Sequence, residues 1–102
     1  MSNKVTLVIL YPKQSDSTFD MKYYLASHIP LVQDRWSSLG LHNWTVLQFE
    51  GDAPYNVQAS FEFDTMAGFE KASKDTKVFD DILKFSNKSP TMLVGKVAGA
   101  QG

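Results

Sequence analysis

Cysteine is absent from the 102-residue sequence, which excludes a disulfide framework, a thiolate metal site and a cysteine nucleophile. An excess of either charge is also absent, because 10 basic and 11 acidic side chains are mixed along the chain. The sequence therefore has no basic patch that could bind nucleic acid or an anionic membrane. The apolar run from Val5 to Tyr11 is too short for a signal sequence or a bilayer-spanning helix. We therefore expect a cytoplasmic protein that binds neither nucleic acid nor membrane.

Cofactor motifs are lacking too. The two histidines, His28 and His42, are too far apart in sequence to form a local metal-binding motif. The sequence also contains no glycine-rich phosphate-binding loop and no nucleophile elbow. We predict that the protein uses no cofactor and no metal.

Aromatic residues, by contrast, are plentiful, with seven Phe, four Tyr and two Trp in a chain whose length fits one domain, residues 1–102. In so small a domain, these rings suggest either aromatic walls around a ligand or a large dimer interface. A domain of this size buries only a modest core by itself, so a second subunit would add to its burial.

The order of the predicted elements indicates an α+β fold. Alternating and apolar segments predict strands over residues 4–11, 43–50, 56–63 and 91–98. Helical spacing predicts one helix from Asp20 to about Gly40, a second after Asp64 or Thr65, and a third over residues 78–85. The βαββαβ order is that of the ferredoxin-like fold, a four-stranded antiparallel sheet with helices on one face. The inward positions assigned to the last two helices are Met66, Phe69, Ala72 and Ser73, then Phe79, Ile82 and Leu83.

One face of such a sheet carries no helices and needs a cover. The first strand is mostly apolar on both faces, so we expect it to be central and covered on both sides. A second copy of the same sheet is the simplest cover, which predicts a homodimer closed into an α+β barrel. Polar side chains of the third strand would then line a small-molecule cavity inside the barrel. These side chains are Gln58, Ser60 and Glu62.

The first helix carries a histidine on its apolar side. Asp20 is a good N-cap, and Phe19 before it can pack onto Tyr24. Apolar residues then recur at steps of three and four, and this stripe directs His28 toward the interior. The stripe consists of Met21, Tyr24, Leu25, His28, Val32, Trp36 and Leu39.

A proline follows His28 within the same helix. Pro30 cannot donate to the carbonyl of Ala26, so we expect a kink or break at Ile29–Pro30. The carbonyl left without a donor beside His28 could orient the imidazole or admit water. A purely structural histidine, bonded to that carbonyl, is an equally good interpretation.

Several short motifs of the chain resemble the EthD family, which is named for ethyl tert-butyl ether degradation and belongs to the dimeric α+β barrel superfamily. The resemblance implies a homodimer with a closed barrel, no required metal and an activity that is poorly defined. Relatives in the superfamily include polyketide cyclases, cofactor-free monooxygenases and muconolactone-type isomerases. The motifs are Tyr11-Pro12, Phe19-Asp20 with Tyr23-Tyr24, and His28-Ile29-Pro30-Leu31, supported by Trp36, Gly40 and the tail from Phe79-Asp80-Asp81-Ile82 to Val97.

The candidate catalytic residues are His28, Tyr24 and Tyr11. An imidazole near neutral pKa suits the removal of a proton next to a carbonyl group. Tyr24, one helical turn before His28, and Tyr11, at the end of the first strand, could hold the developing enolate oxygen. We expect the ring nitrogen of His28 to project into the pocket between the two sheets. The candidate substrate-binding residues are Trp36, Trp44, Gln48 and Glu62.

These features lead to the hypothesis of a cofactor-independent enzyme of catabolic or secondary metabolism. It would act by proton transfer on an apolar carbonyl or aromatic compound, as a cyclase, isomerase, dehydratase or decarboxylase. Two alternatives stay open. One is a non-catalytic carrier or accessory protein for a hydrophobic metabolite, and the other is a dimeric scaffold with a filled barrel.

Overall fold

The structure, a computed structural model, describes residues 3–101. Four antiparallel strands form a sheet in the order β2-β3-β1-β4. The predicted α+β, ferredoxin-like fold is confirmed, and β1 is central as expected. The strands are β1 Val5–Pro12, β2 Leu41–Gln48, β3 Tyr55–Phe63 and β4 Thr91–Lys96.

Helical segments connect β1 to β2 and β3 to β4. The first helix, residues 21–39, is made of four consecutive pieces with different hydrogen-bond patterns. A second and a third helix follow β3, and a 3-10 turn extends the third. The pieces are α Met21–Tyr23, π Tyr24–His28, α Ile29–Trp36 and 3-10 Ser37–Leu39, then α Met66–Ala72, α Thr76–Asp80 and 3-10 Asp81–Lys84.

Alternating burial along β1 and β3 separates the two faces of the sheet. One face packs under the helices and supplies much of the core, as the sequence predicted. On the open face, Val8 and Leu10 of β1 lie beside Ser60 and Gln58 of β3, and all four are half-buried. The covered positions in these strands are Val5, Leu7, Ile9, Tyr11, Val57, Ala59, Phe61 and Phe63.

The first helix begins as the sequence predicts. The Asp20 carboxylate accepts a hydrogen bond from the Tyr23 N–H at 3.0 Å, which caps the free amides of the first turn. Phe19 packs on Tyr24 with ring centroids 5.1 Å apart. Gly40 ends the helix in the left-handed conformation, with φ 99°.

Of the kink or break expected at Ile29–Pro30, the break does not occur, because a π-helical turn precedes the proline. The Ile29 N–H bonds to the Tyr24 carbonyl five residues back, and Pro30 then falls in the first turn of the next α piece, where its missing N–H is tolerated. The wider turn also changes which side chains face inward. Tyr24, His28 and Ile29 are buried, whereas Leu25, predicted on the stripe, is 46% exposed.

The third helix departs from regular α geometry in a second place. Its last four residues, Asp81–Lys84, form a 3-10 turn with about three residues per turn. Asp81 and Ile82 are consequently buried, while Leu83, which was predicted to face inward, is 84% exposed. Ser73, predicted on the inner side of the second helix, is also exposed.

Gly68 allows the second helix to pack closely on the end of the first. A Cβ at this position would lie 2.0 Å from the Leu39 carbonyl oxygen, far inside contact distance. The sequence indicated only that a glycine here weakens the helix. The structure gives the reason for it, since the backbone of Leu39 occupies the space of a side chain.

Gly68→Ala should therefore lower the free energy of unfolding by about 1–3 kcal/mol, because the backbone of Leu39 must move. Helix propensity alone predicts the opposite sign, a gain of about 1 kcal/mol. Urea denaturation measures the difference. Gly95→Ala is the control, since a Cβ there meets no atom within 4 Å. A Gly68→Ala protein as stable as the wild type would contradict the close approach.

Candidate functional site

The two irregular helical segments bring a histidine and an aspartate together inside the protein. His28, at the end of the π turn, places Nδ1 2.9 Å from Oδ2 of Asp81, the first residue of the 3-10 turn. Both residues are buried, at 3% and 7% exposure. The other carboxylate oxygen accepts a hydrogen bond from the Tyr23 hydroxyl at 2.9 Å, and Lys84 Nζ lies 3.4 Å from it. Asp81 therefore has partners on both oxygens.

Aromatic rings surround the imidazole. The Tyr24 ring stacks on it, with centroids 5.2 Å apart and planes 23° apart. Phe85, directly after the 3-10 turn, packs against the imidazole at 4.6 Å and against Tyr24 at 4.8 Å. An environment of this kind disfavours charge on the imidazole, because the rings offer little solvation.

The pKa values of the pair follow from burial and from their hydrogen bond. Burial lowers the pKa of His28 below its ordinary value, and the attraction of Asp81 only partly offsets this. Burial alone would raise the pKa of Asp81, but the hydrogen bonds from His28 and Tyr23 outweigh it and hold the pKa below the ordinary value. Near neutral pH, an ionised Asp81 thus faces a neutral imidazole.

This charge state fixes the proton on the imidazole. An ionised carboxylate can only accept, so Nδ1 of His28 carries the hydrogen and Nε2 keeps a lone pair. Nε2 has no hydrogen-bond partner among residues 3–101, and it is not one of their fully buried polar atoms. The arrangement therefore holds an imidazole base whose basic nitrogen has no partner among residues 3–101.

Tyr24 stacks on His28, and Tyr11 packs in turn against Tyr24. The ring centroids of the two tyrosines are 6.1 Å apart, and each is at most 1% exposed. Burial raises the pKa of both hydroxyls, so both stay protonated at neutral pH. The interaction of the two hydroxyls with each other also contributes to these shifts, and neither hydroxyl is bonded to any other group in the part of the chain described. The three predicted catalytic residues are thus neighbours.

The four predicted substrate-binding residues do not lie next to the three predicted catalytic residues. Trp36 is buried in the core, and its indole N–H donates to Asp75 at 3.2 Å. Trp44 and Gln48 lie on β2, an edge strand, on the covered face of the sheet. Trp44 lines a small cavity of about 310 Å³ there. Glu62 lies on the open face and pairs with His42.

His42 is tied to two carboxylates at the end of β2, where the pairing with β3 is irregular. Its Nε2 contacts Glu62, and its Nδ1 lies 2.9 Å from Asp64 Oδ1. Glu62 lies on the open face, whereas His28 packs on Tyr24 and Phe85 in the core under the helices, on the opposite side of the sheet. The expectation that His28 projects into a pocket between two open sheet faces is therefore wrong, because the helices bury it on the covered side.

A cleft of about 550 Å³ opens on this covered side, between the third helix and β4. Its lining residues are mainly apolar, and one of them, Ile82, directly follows Asp81 in the 3-10 turn. None of the seven predicted site residues lines it. The lining includes Leu7, Phe69, Phe79, Ile82, Met92 and Val94.

Sequence reasoning missed Asp81 and Tyr23 as members of the site. Both occur in motifs that carried the EthD resemblance, but no local pattern links Asp81 to a histidine 53 residues earlier. A regular α-helix would also have assigned the inward positions of this segment differently. The signal that could have found Asp81 is an acidic residue within a short apolar helical segment.

Two absences complete the description of residues 3–101. Their His, Cys, Asp and Glu side chains form no group of three or more that could hold a metal ion. The helices within this range are all too short or too polar to cross a bilayer.

No protein-family model and no curated protein sequence matches the chain. Several solved structures, however, match the chain. An EthD-like protein from Ralstonia eutropha JMP134 superimposes with a TM-score of 0.85 at 20% identity, over 99% of this chain and 97% of that chain. In fold, the chain is EthD-like. The resemblance drawn from the motifs around His28 is thus confirmed at the level of fold.

Two further solved structures share the EthD-like fold more distantly. SnoaB, a cofactor-independent oxygenase from Streptomyces nogalater, matches with a TM-score of 0.68 at 13% identity, over 97% of each chain. A dimeric protein of unknown function with a ferredoxin-like fold, from Bacteroides fragilis NCTC 9343, matches at 0.63 and 12% identity, over 94% of this chain and 98% of that chain.

The lowered pKa of His28 predicts a loss of stability in mild acid. The unfolded chain takes up a proton on this histidine near pH 6.5, before the folded protein does, so the free energy of unfolding falls as the pH drops from 7 to 5. His28→Gln, which keeps a donor for Asp81, should show a shallower fall over the same range. Chemical denaturation at each pH measures both. A wild type that gains stability on acidification would show that Asp81 instead raises the pKa of His28.

Proposed function

We propose that the protein is a cofactor-independent enzyme that moves a proton on an apolar carbonyl or aromatic compound. One observation carries the proposal. His28 is held by Asp81 through Nδ1 at 2.9 Å, while Nε2 has no partner among residues 3–101. A general base needs this combination of an oriented ring and an unoccupied basic nitrogen. The cofactor-independent oxygenase with the same fold supports chemistry without a cofactor.

In the proposed step, Nε2 of His28 removes a proton from the carbon next to a carbonyl, and the electron pair of the C–H bond forms an enolate. The ionised Asp81 stabilises the imidazolium that results, as a carboxylate does in other acid–base dyads. Return of the proton to another atom of the substrate gives isomerisation, and attack by the enolate on a second carbonyl gives cyclisation. The Tyr24 hydroxyl, which stays protonated at neutral pH, is the proposed donor for the enolate oxygen.

A carrier for a hydrophobic metabolite is the second candidate. The observation that favours it is the burial of His28, a residue that is only 3% exposed. A carrier would bind the same apolar compounds but would not break a C–H bond. The two candidates therefore differ in proton exchange rather than in binding. A cytoplasmic location stays a prediction in either case.

Exchange of the methyl protons of 2-acetylnaphthalene with D₂O, followed by NMR, tests the proposed base. We expect the wild type to accelerate exchange and His28→Gln to slow it by about 10²–10⁴-fold. Asp81→Asn should slow exchange less and should move the acid side of the pH profile to lower pH, because Asp81 raises the pKa of His28. His42→Gln is the matched control and should leave the rate unchanged. Binding without any exchange by the wild type would favour the carrier.

We further propose that two copies of the chain associate through the open face of the sheet. Leu47 and Leu93 are 45% and 57% exposed, and both lie on this face by their register with Gln58 and Val8. All six residues of β4 are exposed, and its outer edge pairs with no other strand among residues 3–101. An apolar edge of this kind is normally covered. The dimeric neighbour from Bacteroides fragilis supports a homodimer.

Leu47→Glu should shift the protein toward the monomer, because it buries a charge in the proposed interface. Leu25→Glu is the matched control, since Leu25 is 46% exposed but lies on the first helix, away from the open face. Light scattering after gel filtration reports the mass of each variant. A wild-type monomer, or an equal effect of the two variants, would contradict the proposed interface.

A further inference from the structure

The cleft between the third helix and β4 is concave and largely apolar. Leu7 and Ile82 are 3% and 7% exposed and form its inner part. Two aromatic rings, Phe69 and Phe79, contribute to its sides. Its volume of about 550 Å³ falls within the range of about 300–1,000 Å³ that is usual for small-molecule sites.

The strand at the sheet edge forms the outer wall of the cleft. Val94 of β4 pairs with Leu7 in the sheet, so both side chains lie on the covered face. Val94 is 45% exposed although it is apolar, which means that this wall has no cover among residues 3–101. The end of the described chain does not fill the cleft either, because the Val97 N–H is bonded to the Lys4 carbonyl at 2.9 Å beside β1.

Three polar side chains at the rim of the cleft already have partners, and Lys88 is the only charged one. Lys88 pairs with Asp16 at 2.9 Å. The Asn87 side chain accepts from the Thr18 N–H and donates to the Asp16 carbonyl. The Ser73 hydroxyl donates to a backbone carbonyl in its own helix. No unpaired charge therefore lines the cleft, and a charged ligand would lose hydration without compensation.

We infer that this cleft binds a neutral, mainly apolar small molecule beside the turn that carries Asp81. The inference rests on the proposed function, to which it adds the binding site and the charge of the ligand. Ile82 follows Asp81 directly, and Phe85 at the end of the same turn packs against His28 at 4.6 Å. A ligand in contact with Ile82 thus touches the turn that holds the base.

Calorimetric titration with two probes of similar shape tests the inference. The probes are 2-acetylnaphthalene, which is neutral, and 2-naphthoate, which carries a carboxylate. We expect the ketone to bind and the carboxylate to bind at least tenfold more weakly. Val94→Trp, which fills the cleft from its outer wall, should weaken binding of the ketone at least tenfold.

Lys96→Trp is the matched control, because Lys96 lies on the same face of β4 but does not line the cleft. It should bind the ketone as the wild type does. Ser73→Trp fills the cleft from the opposite side and serves if Val94→Trp does not fold. Absence of saturable binding, tight binding of the carboxylate, or unchanged binding by a folded cleft-filling variant would each overturn the inference.

The outcome is separable from that of the proposed function. His28→Gln should bind the ketone with unchanged affinity, since His28 does not line the cleft. If the wild type binds the ketone in the cleft but exchanges none of its protons, the inferred binding site is supported and the proposed proton transfer is contradicted. If exchange depends on His28 while Val94→Trp leaves binding intact, the proposed proton transfer is supported and the inferred binding site is contradicted.

Discussion

The rest of the site depends on the buried contact between His28 and Asp81. Two ionisable side chains buried at 3% and 7% exposure are tolerated only when they are paired and hydrogen-bonded. The pairing joins the first helix to a turn 53 residues later, so it also fixes how the third helix lies against the first. Tyr23 satisfies the second carboxylate oxygen. Removing either partner would leave a buried polar group without its match.

Irregular helical geometry is what makes this contact possible. In the first helix, the π turn before Pro30 lets Tyr24, His28 and Ile29 all face inward, and a regular α-helix could not place three such positions on one narrow face. At the other end of the contact, the 3-10 turn buries Asp81. Both geometries form weaker hydrogen bonds than an α-helix. Packing of Phe19, Tyr24 and Phe85 around the contact supplies the compensating stabilisation.

The strands, and with them the fold, could be predicted from the sequence, because side chains on a strand alternate whatever the tertiary context. Alternation along β1 and β3 identified the covered face correctly. The helices were predicted less well, since Leu25 and Leu83 were assigned by a period of 3.6 that does not hold in a π or a 3-10 turn. The partner of His28 was missed because no local pattern encodes a contact between distant segments. His28 was expected to project toward the open faces, but the helix that carries it packs on the covered face and buries it there.

The 3-10 turn also links the base to the cleft. Asp81 and Ile82 are consecutive, and their side chains serve the base and the cleft wall respectively. The turn is short, and its hydrogen-bond geometry is poorer than that of the α-helix before it. One turn of the fold thus carries both the carboxylate that holds the base and a residue of the cleft wall.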